Sequence, residues 1–165
     1  MASLAEVMVS VVVVTIVALG GLSYQYHAAR HARIARAQIT ATRTAQLLLE
    51  DWKSTGGSSD YNPAALGIGI SFAGAVSIGS YDWDTTLGGG AYSTNIDGLP
   101  MVIMLGSKNL PLDKAAEDAG IKLRQLTVVI QSGEISTETR EFTSASGLVA
   151  PIIMTTYCRA AGSSS

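Results

Sequence analysis

The stretch VMVSVVVVTIVALGGLSYQY, residues 7–26, carries no charged side chain, and the rest of the chain is read outward from it. At about 1.5 Å per residue a helix over it is roughly 30 Å long, the thickness of a bilayer's hydrocarbon core. β-Branched residues dominate the stretch, and they are indifferent helix formers in water. In lipid, or in a bundle of helices, every backbone N–H and C=O must be satisfied within the segment, and a helix does that in one run. A cleaved secretory signal is a poor fit, because no basic region precedes the run and no small-residue cleavage pattern follows it.

The helix is expected to continue well past the apolar run. Residues 27–54 hold no Gly or Pro, are rich in Ala, Arg, Gln and Leu, and end on an apolar stripe of Leu47, Leu48, Leu49 and Trp52. Ser54-Thr55-Gly56-Gly57 then stops it, glycine supplying the left-handed turn of a helix C-terminus. Four segments follow from this reading: a membrane-spanning or filament-core half of the helix (1–26), an amphipathic half (27–54), a glycine-rich connecting region (55–98) and a C-terminal sheet region (99–165). Within the third, residues 66–78 alternate small and apolar side chains, as a short strand, a hairpin or a packed loop does. Gly88-Gly89-Gly90 lacks the lysine of a phosphate loop and reads as a turn. Strands are expected at 99–105 (LPMVIML), 123–131 (LRQLTVVIQ) and 149–157 (VAPIIMTTY), with a short helix at 112–119 begun by Asp113 and ended by Gly120. Residues 134–143 are a further strand or a connection, and 162–165 a loose tail. The fold class is α+β: one long N-terminal helix packed on a small, mostly antiparallel sheet.

Composition narrows the function. The chain has 165 residues, of which 47% are hydrophobic and 15% charged, with a net charge of −2. Such a balance implies no obligatory nucleic-acid partner. A single cysteine, Cys158, excludes an internal disulfide and a cysteine-based zinc site. No nucleophile motif or triad is visible, so no enzyme activity and no cofactor are expected.

One residue does not fit an apolar anchor. Glu6 stands at the head of the uncharged run, where a carboxylate in hydrocarbon costs several kcal/mol on most estimates. The nearest cations in sequence are His27 and Arg30, roughly 30 Å or more away along a helix. Either Glu6 sits at the membrane interface, or it meets an N-terminal amine, its own or that of an adjacent chain.

Ala2-Ser3-Leu4-Ala5-Glu6-Val7-Met8-Val9-Ser10, followed by four valines, resembles the processed start of type IV pilins and type II secretion pseudopilins. The match covers about the first 25 residues; over the rest the resemblance is weak, although 122–130 (KLRQLTVVI) looks like the central strand of some minor pilins and pseudopilins. The resemblance implies a type IV pilin-like fold and a structural subunit that polymerises through its N-terminal helix. A short leader ending in Gly would be removed by a prepilin peptidase and the new N-terminus methylated. The monomer would wait in the inner membrane, and the pilus assembly machinery would build it into an extracellular surface filament. Aligned on the family pattern, Ala2 is the mature N-terminus and Glu6 the family glutamate. Met1 stands where the leader glycine belongs, which leaves Met1 and Ala2 both open as the mature start. Many relatives carry a proline near mid-helix, where this chain has Gly20-Gly21; the pair either loosens the helix on assembly or allows close helix packing.

Arg30, Arg33, Arg36 and Arg43 lie on the second half of the helix, with no acid before Glu50 and Asp51. They form a solvated basic face or pair with Glu50 and Asp51 of neighbouring helices. Charge bias alone would keep this segment cytoplasmic; the family places it outside, a basic leader supplying the opposing charge. His27 and His31, one helical turn apart, read as surface histidines rather than metal ligands. Asp82, Asp84 and Asp97 supply oxygens for a calcium site whose spacing fits no known loop. Two other readings stay open beside the long pilus: a pseudopilin or minor pilin, and a single-span membrane-anchored binding domain.

Overall fold

The computed structural model describes residues 3–74, 85–86, 91–112, 122–136, 142–144 and 150–160. Its first element is one unbroken helix, α1, Leu4–Ser54. The chain divides into two compact units, residues 1–36 and 37–165. In the first unit α1 stands alone, and every described residue from Ser3 to Arg33 is exposed. Val12, Val14, Ile16, Leu19 and Leu22 each leave more than half of their surface uncovered.

In the second unit α1 packs on a sheet. Ala37, Ala41, Ala45, Leu48, Leu49 and Trp52 form its buried stripe, with alanines one turn apart at the start and large side chains at the end. The helix ends as the sequence leads one to expect. The Gly56 N–H donates to the Lys53 carbonyl at 3.0 Å and the Gly57 N–H to the Trp52 carbonyl at 3.0 Å. Both glycines have positive φ, +68° and +70°. This pair of bonds is the Schellman arrangement, which satisfies carbonyls that the last helical turn leaves open.

Gly57 is more than a turn residue. A Cβ there would stand 2.8 Å from the Cys158 Sγ and 3.1 Å from Leu126, and the Gly57 carbonyl accepts a 2.6 Å hydrogen bond from Arg124. Gly57→Ala is therefore expected to destabilise the second unit by about 2–4 kcal/mol, combining left-handed backbone strain with overpacking. Denaturant titration of the full chain in detergent checks this; Gly56→Ala, whose Cβ meets open space, should cost only the strain.

Seven strands are seen among the described residues, all paired antiparallel: β1 Ser71–Gly74, β2 Thr85–Thr86, β3 Ala91–Ile96, β4 Leu99–Leu110, β5 Lys122–Ile135, β6 Phe142–Ser144 and β7 Ile152–Ala160. The order runs β1-β3-β4-β5-β6, with β2 also on β4 and β7 also on β5. β5 is paired on both edges, to β4 from Met101↔Ser132 to Leu110↔Leu123 and to β7 from Lys122↔Ala160 to Ile130↔Ile152. Alternate residues of the central strands face α1: Met101, Ile103 and Leu105 of β4, and Leu126, Val128 and Ile130 of β5. Their neighbours Val102, Met104 and Val129 are buried on the opposite face with Ala91, beside Ile135 and Phe142. Burial on both faces explains why MVIML and TVVI read as continuous apolar runs.

The glycine-rich segment 55–98 is more than a connection, and of the alternatives open for 66–78 a short strand is present, at Ser71–Gly74. Segment 55–98 contributes β1, β2 and β3 to the sheet, together with a 3-10 turn at Pro63–Leu66 begun by Asn62. β3 and β4 are joined by the two-residue turn Asp97-Gly98, with φ of +52° and +75°. Two positive φ values are what a type I′ hairpin turn requires, and Asp-Gly is a preferred pair for it. The expected helix at 112–119, the turn at 88–90 and the tail at 162–165 lie outside the described residues.

Candidate functional site

The exposed N-terminal half of α1 holds the residues that the sequence singles out. Ser3 is its N-cap: its carbonyl accepts from the N–H of Glu6 at 3.0 Å and of Val7 at 3.3 Å, and its Oγ lies 3.4 Å from the Glu6 N–H. Ser3-Leu4-Ala5-Glu6 is thus the S-x-x-E pattern that starts helices. The carboxylate of Glu6 lies in the first turn, where the helix dipole favours negative charge by about 0.3–1 kcal/mol at exposed sites. Glu6 therefore has a local role that its place in a hydrophobic run concealed. Met1 and Ala2, the two open positions for the mature start, lie outside the described residues.

Along the run the polar side chains turn inward. The Ser10 hydroxyl donates to the Glu6 carbonyl at 2.8 Å and the Thr15 hydroxyl to the Val11 carbonyl at 2.7 Å. Hydroxyl donors bonded to the preceding turn do not need water, so these two positions suit an apolar surrounding. Glu6, Ser10 and Val14 line one side of a shallow groove and Val7, Val11 and Thr15 the other. Gly20 and Gly21 lie in regular helix, and a Cβ at either would meet nothing within 4 Å. By length and composition α1 is able to cross a membrane.

Beyond the run, His27 and His31 are exposed, and the His27 ring meets Tyr26 edge-on at 5.8 Å. Arg30, Arg33, Arg36, Arg43 and Glu50 are exposed, whereas Asp51 is half-buried. Asp51 lies beside Tyr61, which stacks on Trp52 at 5.9 Å with an interplanar angle of 12°. The indole Nε1 donates to the Ser58 carbonyl at 2.8 Å.

The Tyr61 hydroxyl is buried without a hydrogen-bond partner among the described residues. Burial first, and the nearby Asp51 carboxylate second, hold its pKa well above the ordinary 10.0. Two results are expected. Tyr61→Phe removes an unsatisfied polar group and leaves stability unchanged or raises it by up to about 2 kcal/mol. In the parent chain, this phenol's contribution is complete below pH 10, where both states are protonated. It is lost as pH rises further, because the unfolded phenol ionises first, at a limiting slope of about 1.4 kcal/mol per pH unit. Burial also raises Tyr92, so Tyr61→Phe should lessen the alkaline loss and not abolish it. Denaturation midpoints at pH 8 and pH 11 for both chains decide.

Cys158 is a buried residue of β7, and burial pushes its thiol up while Arg124 and Lys53 pull it back. Of the three calcium candidates, Asp82 and Asp84 lie outside the described residues and Asp97 occupies the hairpin turn. No group of three or more His, Cys, Asp or Glu suited to a metal occurs among the described residues. Comparison with known proteins returns no matching family model, no similar curated protein and no similar solved structure.

Proposed function

We propose that the chain is a structural subunit of a type IV pilin-like filament, held in a membrane by α1 before assembly and built into the polymer through the same helix. One observation carries the reading: an exposed, uncharged and largely apolar helical run of 20 residues, 7–26, with Glu6 just before it at the capped end. A surface of that size needs a covering, and lipid or neighbouring helices of the same kind supply it equally well. The move from one to the other requires no chemistry on the subunit. It requires an external motor, a platform and a peptidase that exposes the N-terminal amine. The second unit, with its own buried core, is then carried on the helix as the part that meets other molecules. Gly20-Gly21 is the stretch where α1 gives way when packed, since the two together weaken a helix by about 2 kcal/mol relative to alanine.

Electron microscopy of material sheared from cells expressing the precursor tests the reading. Abundant long fibres labelled by an antibody to this chain are the expected result. Rare or short fibres would favour a pseudopilin or minor pilin. A chain found only as membrane-bound monomer would overturn assembly in favour of an anchored binding domain.

A further inference from the structure

Where the uncharged run ends, α1 continues with cations and no acid. His27, Arg30, His31, Arg33 and Arg36 are all exposed, and the first acidic residue after Glu6 is Glu50. The helical rise fixes how far each stands beyond Tyr26, the last residue of the run: about 1.5 Å for His27, about 6 Å for Arg30, about 7.5 Å for His31, about 10.5 Å for Arg33 and about 15 Å for Arg36. A bilayer is about 40–45 Å thick and its hydrocarbon core about 30 Å, which leaves a headgroup layer of roughly 5–8 Å on each side. With residues 7–26 in the core, His27, Arg30 and His31 stand in that layer, and Arg30 is the only one of these three arginines to do so.

These residues also share a side of the helix. At about 100° per residue, Tyr26, His27, Arg30 and His31 lie within about 140° of one another around α1. Tyr26 is 69% exposed, and its ring meets that of His27 edge-on at 5.8 Å. A phenol suits the boundary between hydrocarbon and headgroups. One turn further out, a guanidinium presents paired N–H donors that match two phosphate oxygens, and the imidazoles add donors on the same side.

We infer that this side of α1 is a docking surface for an anionic phospholipid headgroup, with Arg30 on the phosphate and His27 and His31 beside it. Charge complementarity selects the occupant. Phosphatidylcholine carries its own ammonium toward Arg33 and Arg36, whereas phosphatidylglycerol carries no cation. The inference rests on the membrane-held half of the proposed function and not on the filament. It also gives the anchor a depth, because sinking the run further would draw the Arg30 charge into hydrocarbon.

Two measurements on the full chain test it. Flotation with phosphatidylcholine vesicles after detergent removal reads anchoring alone. In uncharged dodecyl maltoside micelles given equal amounts of phosphatidylglycerol and phosphatidylcholine, gel filtration followed by lipid mass spectrometry reads the headgroup preference. The parent should float. It should retain phosphatidylglycerol over phosphatidylcholine by at least about fivefold, the equivalent of about 1 kcal/mol for one arginine at an anionic surface. Arg30→Gln keeps a good helix former and should bring the ratio below about twofold. Arg43→Gln, the same loss of charge in the second unit, should keep the parent's ratio. Near-UV circular dichroism from the Trp52–Tyr61 stack should be the same in all three chains. A parent that floats but retains the two lipids equally, or an Arg30→Gln chain with the parent's ratio, overturns the inference and leaves the anchor. An equal fall in Arg43→Gln overturns it as well, since net charge and not place on the helix would then set the preference. A parent that fails to float removes the membrane anchor and this surface with it.

Discussion

Replacing Glu6 with Ala is expected to reduce assembled polymer by about a hundredfold to several thousandfold while leaving the second unit folded. The physical ground is the cost of an uncompensated charge. In a bundle of apolar helices, the N-terminal amine of a neighbouring copy is buried, and Glu6 is the one acid of the N-terminal run able to meet it. Removing one partner of a buried ion pair typically costs about 3–5 kcal/mol, and each 1.4 kcal/mol is a factor of ten. The capping geometry at Ser3 makes a second substitution necessary. Glu6→Gln keeps the side-chain length and polarity of the S-x-x-E/Q pattern but has no charge. If Glu6 matters mainly as a helix starter, Gln restores assembly; if it matters as a counter-ion, Gln fails nearly as badly as Ala. Sedimentation of the three chains after detergent removal, with near-UV circular dichroism as the folding control, separates these outcomes. Polymer from Glu6→Ala at the parent's level would remove the counter-ion role.

Trp52→Ala is expected to have the largest effect on the stability of the second unit. Trp52 is fully buried at the end of α1, stacks on Tyr61 and donates its indole N–H to the Ser58 carbonyl. Truncating a buried Trp typically costs about 3–5 kcal/mol, and the lost hydrogen bond and stack fall within the same range. Small domains are held by about 5–15 kcal/mol in total. A fall in melting temperature of roughly 10–20 °C should follow, read by far-UV circular dichroism in detergent. Trp52→Phe retains the ring contact and loses the donor, so it should cost about 1–2 kcal/mol. A melting temperature within a few degrees of the parent for Trp52→Ala would mean that α1 is not anchored to the sheet through this residue.

The two ends of the fold differ in how legible they were. Helix α1 could be read almost to its last residue because its signals are local: an uncharged run, a stretch free of Gly and Pro, and a Gly-Gly stop. The cores of β4, β5 and β7 were visible because burial made them apolar, but their lengths were not. β4 continues through Gly106-Ser107-Lys108-Asn109 only because β5 and β2 pair with that polar tail. β3, with Ser93, Thr94 and Asn95 in its middle, has no apolar run at all; its place beside β4 comes from the ladder and from the turn that returns the chain. Asp97-Gly98 is the local signal for that hairpin, and the carboxylate that makes Asp97 look like a cation ligand obscures it. At the candidate site, charge made Glu6 conspicuous, and the same conspicuousness hid the Ser3 cap three residues earlier. Which acid at the end of α1 faces outward depends on how Trp52 and Tyr61 pack, and spacing alone left Glu50 and Asp51 equivalent.

The joint at Gly57 also has a mechanical meaning. A pull along α1 meets the second unit first through the buried stripe from Ala37 to Trp52, and at the helix end Arg124 of β5 holds the Gly57 carbonyl while Asn109 of β4 accepts from the same guanidinium at 3.1 Å. The Arg124 tie belongs to the middle strand, whose hydrogen bonds run to β4 on one side and β7 on the other. In the filament proposed above, tension carried by α1 would therefore be handed to a core stripe and to three paired strands together, not to a single strand edge.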